Sequence, residues 1–206
     1  MKRFVMSGLM AWLMAPALAL AFSATYDQRI TGDGREIESS VAMKDGQFRV
    51  DMTLDGQRMI MLKNAEGLFN VMVEHGMAMK LPQLDKFQGP PEGIDRADYK
   101  DFLRERNANK VGSEVVNGYP TDVYEYVDPE SSKPVQVWVW TQRAFPVKIE
   151  MAGTDGTTVV EIRNIKLDTS IDASIFDLPP GVRVMDMGGF NPMQMMQQMK
   201  GAQRDQ

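Results

Sequence analysis

Two-residue turn signals punctuate the first half of the chain at Asp33-Gly34, Asp45-Gly46, Asp55-Gly56, Glu66-Gly67 and His75-Gly76, nine to twelve residues apart. Asp-Gly pairs suit the left-handed backbone positions of tight hairpin turns, so this spacing constrains the segments between them to short antiparallel strands. The clearest segment is 47–54, where Phe48, Val50, Met52 and Leu54 alternate with Gln47, Arg49, Asp51 and Thr53. Alternation of period two with one polar face describes a sheet that is wet on one side. His75 is read as the residue that takes the left-handed position of its turn.

The pattern changes after Pro82. Gly89-Pro90-Pro91-Glu92-Gly93 breaks the run, and Tyr99, Phe102, Leu103 and Arg106 then recur at helical spacing. We read one helix over 95–107, with Asp95 near its N-terminus favoured by the helix dipole. Strands resume at 110–116, 119–127, 134–141, 146–152 and 157–167, with hairpin turns at Asn117-Gly118 and Asp155-Gly156. Adding segments 23–30, 36–44, 47–54, 58–63, 68–74 and 77–81 gives about eleven strands. Such a sheet has to cover its apolar face, and the segment 82–109 is the spare cover. A curved sheet around a helix leaves either a filled core or an apolar cleft, and both remain open at this point.

The N-terminus restricts where this fold operates. Lys2 and Arg3, an apolar stretch 4–14 and small-x-small motifs over 15–21 have the form of a signal peptide cleaved after Ala21. The expected organisation is thus a leader (1–21), one domain (22–185) and a Met/Gln-rich tail (186–206). No cysteine follows the leader, or occurs anywhere, so neither lipid attachment nor disulfides are available, and a soluble periplasmic protein is expected. The formal net charge is −5, and loss of the two leader cations makes the remainder more acidic. Without a basic stripe, nucleic acid is not expected as a partner. Nothing in the pattern asks for an oligomer, and a monomer is expected.

The second half also carries a resemblance. Gly118-Tyr119 followed by Asp122-Val123-Tyr124, then Val137-Trp138-Val139, Phe145-Pro146-Val147-Lys148-Ile149-Glu150 and Phe176-Asp177-Leu178-Pro179-Pro180-Gly181 resemble, in their order, the outer-membrane lipoprotein-sorting superfamily that includes LolA, LolB and RseB. The resemblance implies a mainly β fold, an open antiparallel barrel of about eleven strands with helical cover, whose cavity takes up acyl chains or another hydrophobic ligand. Absence of a lipidated cysteine places the chain nearer the soluble carriers than the anchored acceptor. No individual cargo-contact residue carries over.

Candidate cavity residues come from the alternation itself. Met52, Met59, Met61, Met72, Met77, Met79 and Met151 supply deformable thioethers suited to ligands of varied shape, or equally to an irregular core. Phe69 and Phe102 join them as apolar candidates. Trp138 with Trp140, and Tyr124 with Tyr126, each share one face of adjacent strands, which suggests an aromatic wall of four rings. Met-x-Met pairs at Met59/Met61, Met77/Met79, Met185/Met187 and Met193/Met195, with His75, raise the alternative of a Cu(I) protein. One histidine and no cysteine make that a thin ligand set, so neither metal nor cofactor is expected. In the tail, Met195, Met196 and Met199 after Pro192 form a stripe able to dock on an envelope protein. Catalytic motifs are lacking, and no enzymatic activity is expected. The reading is a carrier or chaperone-like protein for lipid or lipoprotein acyl chains, with an envelope sensor of filled core as the other alternative.

Overall fold

The computed structural model describes residues 22–81, 90–91, 93–96, 98–153 and 156–186. The leader and all but the first residue of the tail therefore lie outside the described residues. Strands β1 (Ser23–Gly32), β2 (Arg35–Lys44), β3 (Gln47–Leu54), β4 (Gln57–Asn64), β5 (Gly67–Met72) and β6 (Met77–Leu81) form one meander. Helix α1 (Tyr99–Glu105) precedes a second meander: β7 (Asn109–Val116), β8 (Tyr119–Val127), β9 (Pro134–Trp140), β10 (Phe145–Ala152) and β11 (Thr157–Leu167). A last strand, β12 (Arg183–Asp186), follows. All twelve belong to one sheet in the order β12-β6-β5-β4-β3-β2-β1-β11-β10-β9-β8-β7. The sheet is open: β12 and β7 are its two edges.

The hairpin turns form for the expected reason. Asp33-Gly34, Asp45-Gly46, Asp55-Gly56 and Asn117-Gly118 all have positive φ at both residues, the backbone of a type I′ turn. Two expected turns are built otherwise. Asn64 pairs with Gly67 across the fourth turn, so Ala65 and Glu66 make it, with the Asn64 side chain accepting from the Glu66 N–H at 2.9 Å. Around His75 the loop has four residues, 73–76, and Gly76 (φ 57°) rather than His75 takes the left-handed position. Asp155 lies outside the described residues.

Two features were not legible. The meanders are joined by β1 pairing with β11, from Ala24 opposite Leu167 to Thr31 opposite Val159, which puts the first strand in mid-sheet. Strands β6 and β7 consequently lie near opposite edges, so the chain between them has to traverse the sheet, and α1 is set down on the concave face. The helix is shorter than 95–107, because Asp98 rather than Asp95 caps it, accepting from the Lys100 N–H at 2.8 Å. It ends at Glu105 with Arg106 as C-cap, and the next residue, Asn107, adopts φ 53° while the Ala108 N–H donates to the Leu103 carbonyl. Tyr99, Phe102 and Leu103 face inward onto a core that includes Tyr26, Val41, Val50, Val137 and Ile162. Gly93 sits against the Phe102 ring, where a Cβ would lie 2.6 Å from Phe102 Cγ, so no side chain fits there.

The opposite face is covered by residues 168–182. Ile171 and Phe176 pack on Ile60, Leu62, Phe69, Val71 and Ala78 of β4 to β6. Side-chain donors from the sheet fix this strap to its carbonyls: Ser23 to Thr169 at 2.8 Å, Lys44 to Ile171 at 3.2 Å, Arg49 to Ile175 at 3.0 Å and Asn64 to Phe176 at 3.0 Å. The strap delivers the chain to β12, parallel to β6, and this is the strand beyond the eleven expected. Four residues after Pro179-Pro180-Gly181 carry too little alternation to announce a strand.

Beside the strap, Asp51 accepts from Arg49 (2.5 Å) and Arg58 (2.7 Å). Burial pushes the Asp51 carboxyl up, but the hydrogen bonds from Arg49 and Arg58 outweigh it and leave the group below the usual carboxylate range. Its stabilising contribution is thus complete above the ordinary aspartate value of about 4 and is lost as pH falls through the depressed folded value. Asp51→Asn is expected to lower stability at neutral pH, with the gap to the native protein closing in acid, as read by urea unfolding at several pH values. Phe176, 1% exposed, should cost about 3–5 kcal/mol when truncated to Ala, whereas Val115→Ala, at a position 69% exposed, should stay within about 0.5 kcal/mol.

Candidate functional site

Strands β4 to β6 are packed to different depths on their two faces. Ile60, Leu62, Phe69, Val71 and Ala78 are fully buried beneath the strap, while Met59, Met61, Met72, Met77 and Met79, which alternate with them, are half-buried. Cross-strand pairing puts the thioethers in rows. Met52 lies opposite Met59, Met59 opposite Met72, and Met72 opposite Met77. The next row runs Val50, Met61, Asn70, Met79 and, across the parallel pair, Met185. With strands about 4.8 Å apart, the four-methionine row spans roughly 14 Å.

On this concave face is a cavity of about 730 Å³, a size ordinary for a small-molecule site. One wall comes from Gln28 and Ile30 of β1, Ile37 and Ser39 of β2, Val50, Met52 and Leu54 of β3, Met59 and Met61 of β4 and Asn70 of β5. The facing wall is Tyr126 of β8, Pro134 and Val135 of β9, Ile149, Met151 and Ala152 of β10, and Thr158 and Val160 of β11. Pro90, Pro91 and Tyr99 complete the lining from the segment that crosses the sheet. Asp128, Ser131 and Lys133 reach it from the β8–β9 loop. The Asp128 carboxylate accepts from the Ser131 N–H (2.7 Å) and Oγ (2.7 Å) and the Glu130 N–H (3.2 Å). Those bonds, the Ser131 backbone first, hold its carboxyl below the usual range. It therefore serves as the fastening of its own loop.

Of the expected cavity residues, Met52, Met59, Met61, Tyr126 and Met151 line the cavity. Met72, Met77 and Met79 continue the same face toward the β12 edge. Phe102 is on the buried face of α1, meeting Tyr126 edge-to-face at 6.1 Å with the Arg96 and Arg106 guanidiniums 5.6 and 5.1 Å from its ring. Tyr124 packs on the concave core.

Three residues fall on the other side. Phe69 belongs to the core under the strap. Trp138 and Trp140 lie opposite Val123 and Thr121, whereas Tyr124 and Tyr126 lie opposite Val137 and Val135. The register thus separates the tryptophans from the tyrosines by the thickness of the sheet, and the wall of four rings does not exist. Trp138 packs with Val123 and Val147, its Nε1–H donates to Glu114, and Lys148 Nζ stands 4.3 Å from its ring centre. The valines and isoleucines of β9 to β11 form the facing wall instead. They read as plain strand residues, and the one signal that marks the site is the pair of polar residues, Gln28 and Ser39, interrupting otherwise apolar alternation in β1 and β2.

Met59 and Met61 share the concave face as the Cu(I) alternative requires, but His75 is in the exposed loop between β5 and β6. Among the described residues no three His, Asp or Glu side chains form a potential metal cluster. Met187, Met193, Met195, Met196 and Met199 lie outside the described residues. Among the described residues no helix is long and apolar enough to cross a membrane.

No protein-family model matches the sequence, and no curated protein matches it. Solved structures do match by shape. MucB of Pseudomonas aeruginosa, in its complex with MucA, is similar with a TM-score of 0.51 at 14% identity over 80% of this chain and 58% of that one. An uncharacterised conserved protein from Thermus thermophilus is similar with a TM-score of 0.52 at 11% identity, over 82% of this chain and 91% of that one. A putative outer membrane lipoprotein-sorting protein domain from Vibrio parahaemolyticus matches at 13% identity with a TM-score of 0.38, over 78% of this chain and 91% of that one. The chain spans less than two thirds of the MucB chain that it matches. At such identities the first two likenesses show a shared fold. It is the fold that the resemblance to the lipoprotein-sorting superfamily implies, an open antiparallel sheet wrapped around helical cover.

Graded exposure of the methionines yields a chemical test. Thioether oxidation follows access to the sulfur, so among the described residues mild peroxide should oxidise Met151 and Met185 (each 38% exposed) first, the half-buried Met52, Met59 and Met61 more slowly and Met43 (3% exposed) last, as read by peptide mass mapping.

Proposed function

We propose that this protein is a periplasmic binding protein, without enzymatic activity, that holds lipid or lipoprotein acyl chains in the concave cavity. The carrying observation is the asymmetry of strands β4 to β6. Their strap-side Ile60, Leu62, Phe69, Val71 and Ala78 are fully buried, while their other side is a field of half-buried thioethers bordering about 730 Å³ of space. Each methylene moved from water into such a surface contributes about 0.8 kcal/mol, so a single chain suffices for useful affinity. Flexible methionines accommodate chains of different length with little strain. The leader-like residues 1–21 support a periplasmic location, and the cavity favours the carrier reading over a filled-core sensor. That MucB structures hold MucA makes an envelope protein a reasonable second partner for this chain.

The decisive experiment titrates the purified chain with a fluorescent fatty acid whose emission rises in apolar surroundings. Saturable binding is expected. Met52→Trp, which fills the cavity, should weaken it about tenfold or more, in line with typical overpacking penalties. Trp138→Phe, altered on the opposite face, should leave it unchanged. Absence of saturable binding, or equal loss in both variants, would refute the proposal.

A further inference from the structure

The row that carries the four methionines begins with two polar residues. Gln28 of β1 lies opposite Ser39 of β2, and Ser39 opposite Met52. Both side chains line the cavity. Each residue is only 7% exposed, and Gln28 Oε1 and Ser39 Oγ are buried without a hydrogen-bond partner among the described residues. Two orphaned polar atoms on adjacent strands are costly, and nothing in packing demands them. Ile30 and Ile37, the next pair along the same two strands, show that branched apolar residues fit this face. A third orphan, the Tyr26 hydroxyl, does not bear on this, since it is part of the core beneath α1 rather than of the cavity lining.

We infer that Gln28 and Ser39 form a hydrogen-bonding subsite for a hydroxyl group carried along an acyl chain, a specificity that rests on the acyl-binding function proposed above. Gln28 Oε1 only accepts, while Ser39 Oγ donates or accepts. One ligand hydroxyl satisfies both, by donating to Gln28 and accepting from Ser39. An ester, ether or ketone oxygen offers no proton and leaves Gln28 Oε1 unpaired, and a plain methylene leaves both. The pair lies two residues, about 7 Å along the strands, from the Ile30–Ile37 row. Recognition therefore depends on where the hydroxyl stands in the chain. Beyond it, the row Met52, Met59, Met72 and Met77 offers the remaining methylenes a wholly apolar track.

The test measures binding of stearate, a set of hydroxystearates differing in hydroxyl position, and the matching ketostearates to the native protein, Gln28→Met, Ser39→Ala and the double variant. One hydroxyl position is expected to bind about tenfold tighter than stearate, the gain of a well-made hydrogen bond together with relief of the orphans, and its ketone should gain little. The double variant should bind stearate at least as well as the native protein and lose the preference. Urea unfolding of the ligand-free variants should show no loss of stability, because each removes an unpaired buried atom. Equal binding of stearate and every hydroxystearate, or a ketone that matches its alcohol, overturns the subsite while leaving acyl binding intact. Failure of all the acids to bind overturns the acyl-binding function and the subsite with it.

Discussion

Cross-strand register governs this molecule. Once tight turns set which residues face each other, every side chain on the strands they join is assigned to one face of the sheet, and a slip of one residue would exchange the faces. Register places Met52, Met59, Met72 and Met77 in one line and Gln28 and Ser39 at its head. The same constraint sends Trp138 and Trp140 away from Tyr124 and Tyr126. The wall of the site from β1 to β5 is therefore a consequence of turn geometry, whereas its facing wall from β8 to β11 is set opposite by the long-range β1–β11 pairing.

The second constraint is topological. An open sheet with apolar residues on both faces needs cover on both, and the chain has two irregular stretches to provide it. The connection from β6 to β7 has to cross the concave face because those strands stand near opposite edges, and it deposits Tyr99 and Phe102 on the middle of the sheet. The C-terminal strap seals the reverse face of β4 to β6, held by Ser23, Lys44, Arg49 and Asn64. Among the described residues neither cover extends over the methionine rows. The cavity is the part of the concave face that one seven-residue helix is too short to fill.

The polarity of the two surfaces follows from this division. On the strap side Arg49, Asp51 and Arg58 form a paired charged cluster, and Asp128 at the cavity margin is paired within its own loop. The orphaned polar atoms that border the cavity, by contrast, belong to neutral side chains, Gln28 and Ser39, inside a largely apolar wall, while the orphaned Tyr26 hydroxyl under α1 and Arg163 Nε are outside the cavity lining. A neutral orphan costs far less to keep than a buried charge, so it is a tolerable way to give a greasy cavity some selectivity.

Local signals in the sequence were enough for eleven strands, four type I′ turns and the existence of a helix, since alternation and Asp-Gly or Asn-Gly pairs act over a few residues. The concave placement of Met52, Met59 and Met61 was legible for the same reason, as members of one alternating set. What tertiary structure alone decided was pairing between distant segments. The β1–β11 junction, the strap, the short parallel β12 and the Asp98 cap all depend on partners remote in sequence or on competition between neighbouring caps. The separation of the tryptophans from the tyrosines belongs here too, because period two tells which residues share a face within one strand but not which face the next strand aligns with it. That choice rests on the six-residue β8–β9 loop, 128–133, fastened by Asp128, whose geometry no alternation pattern encodes.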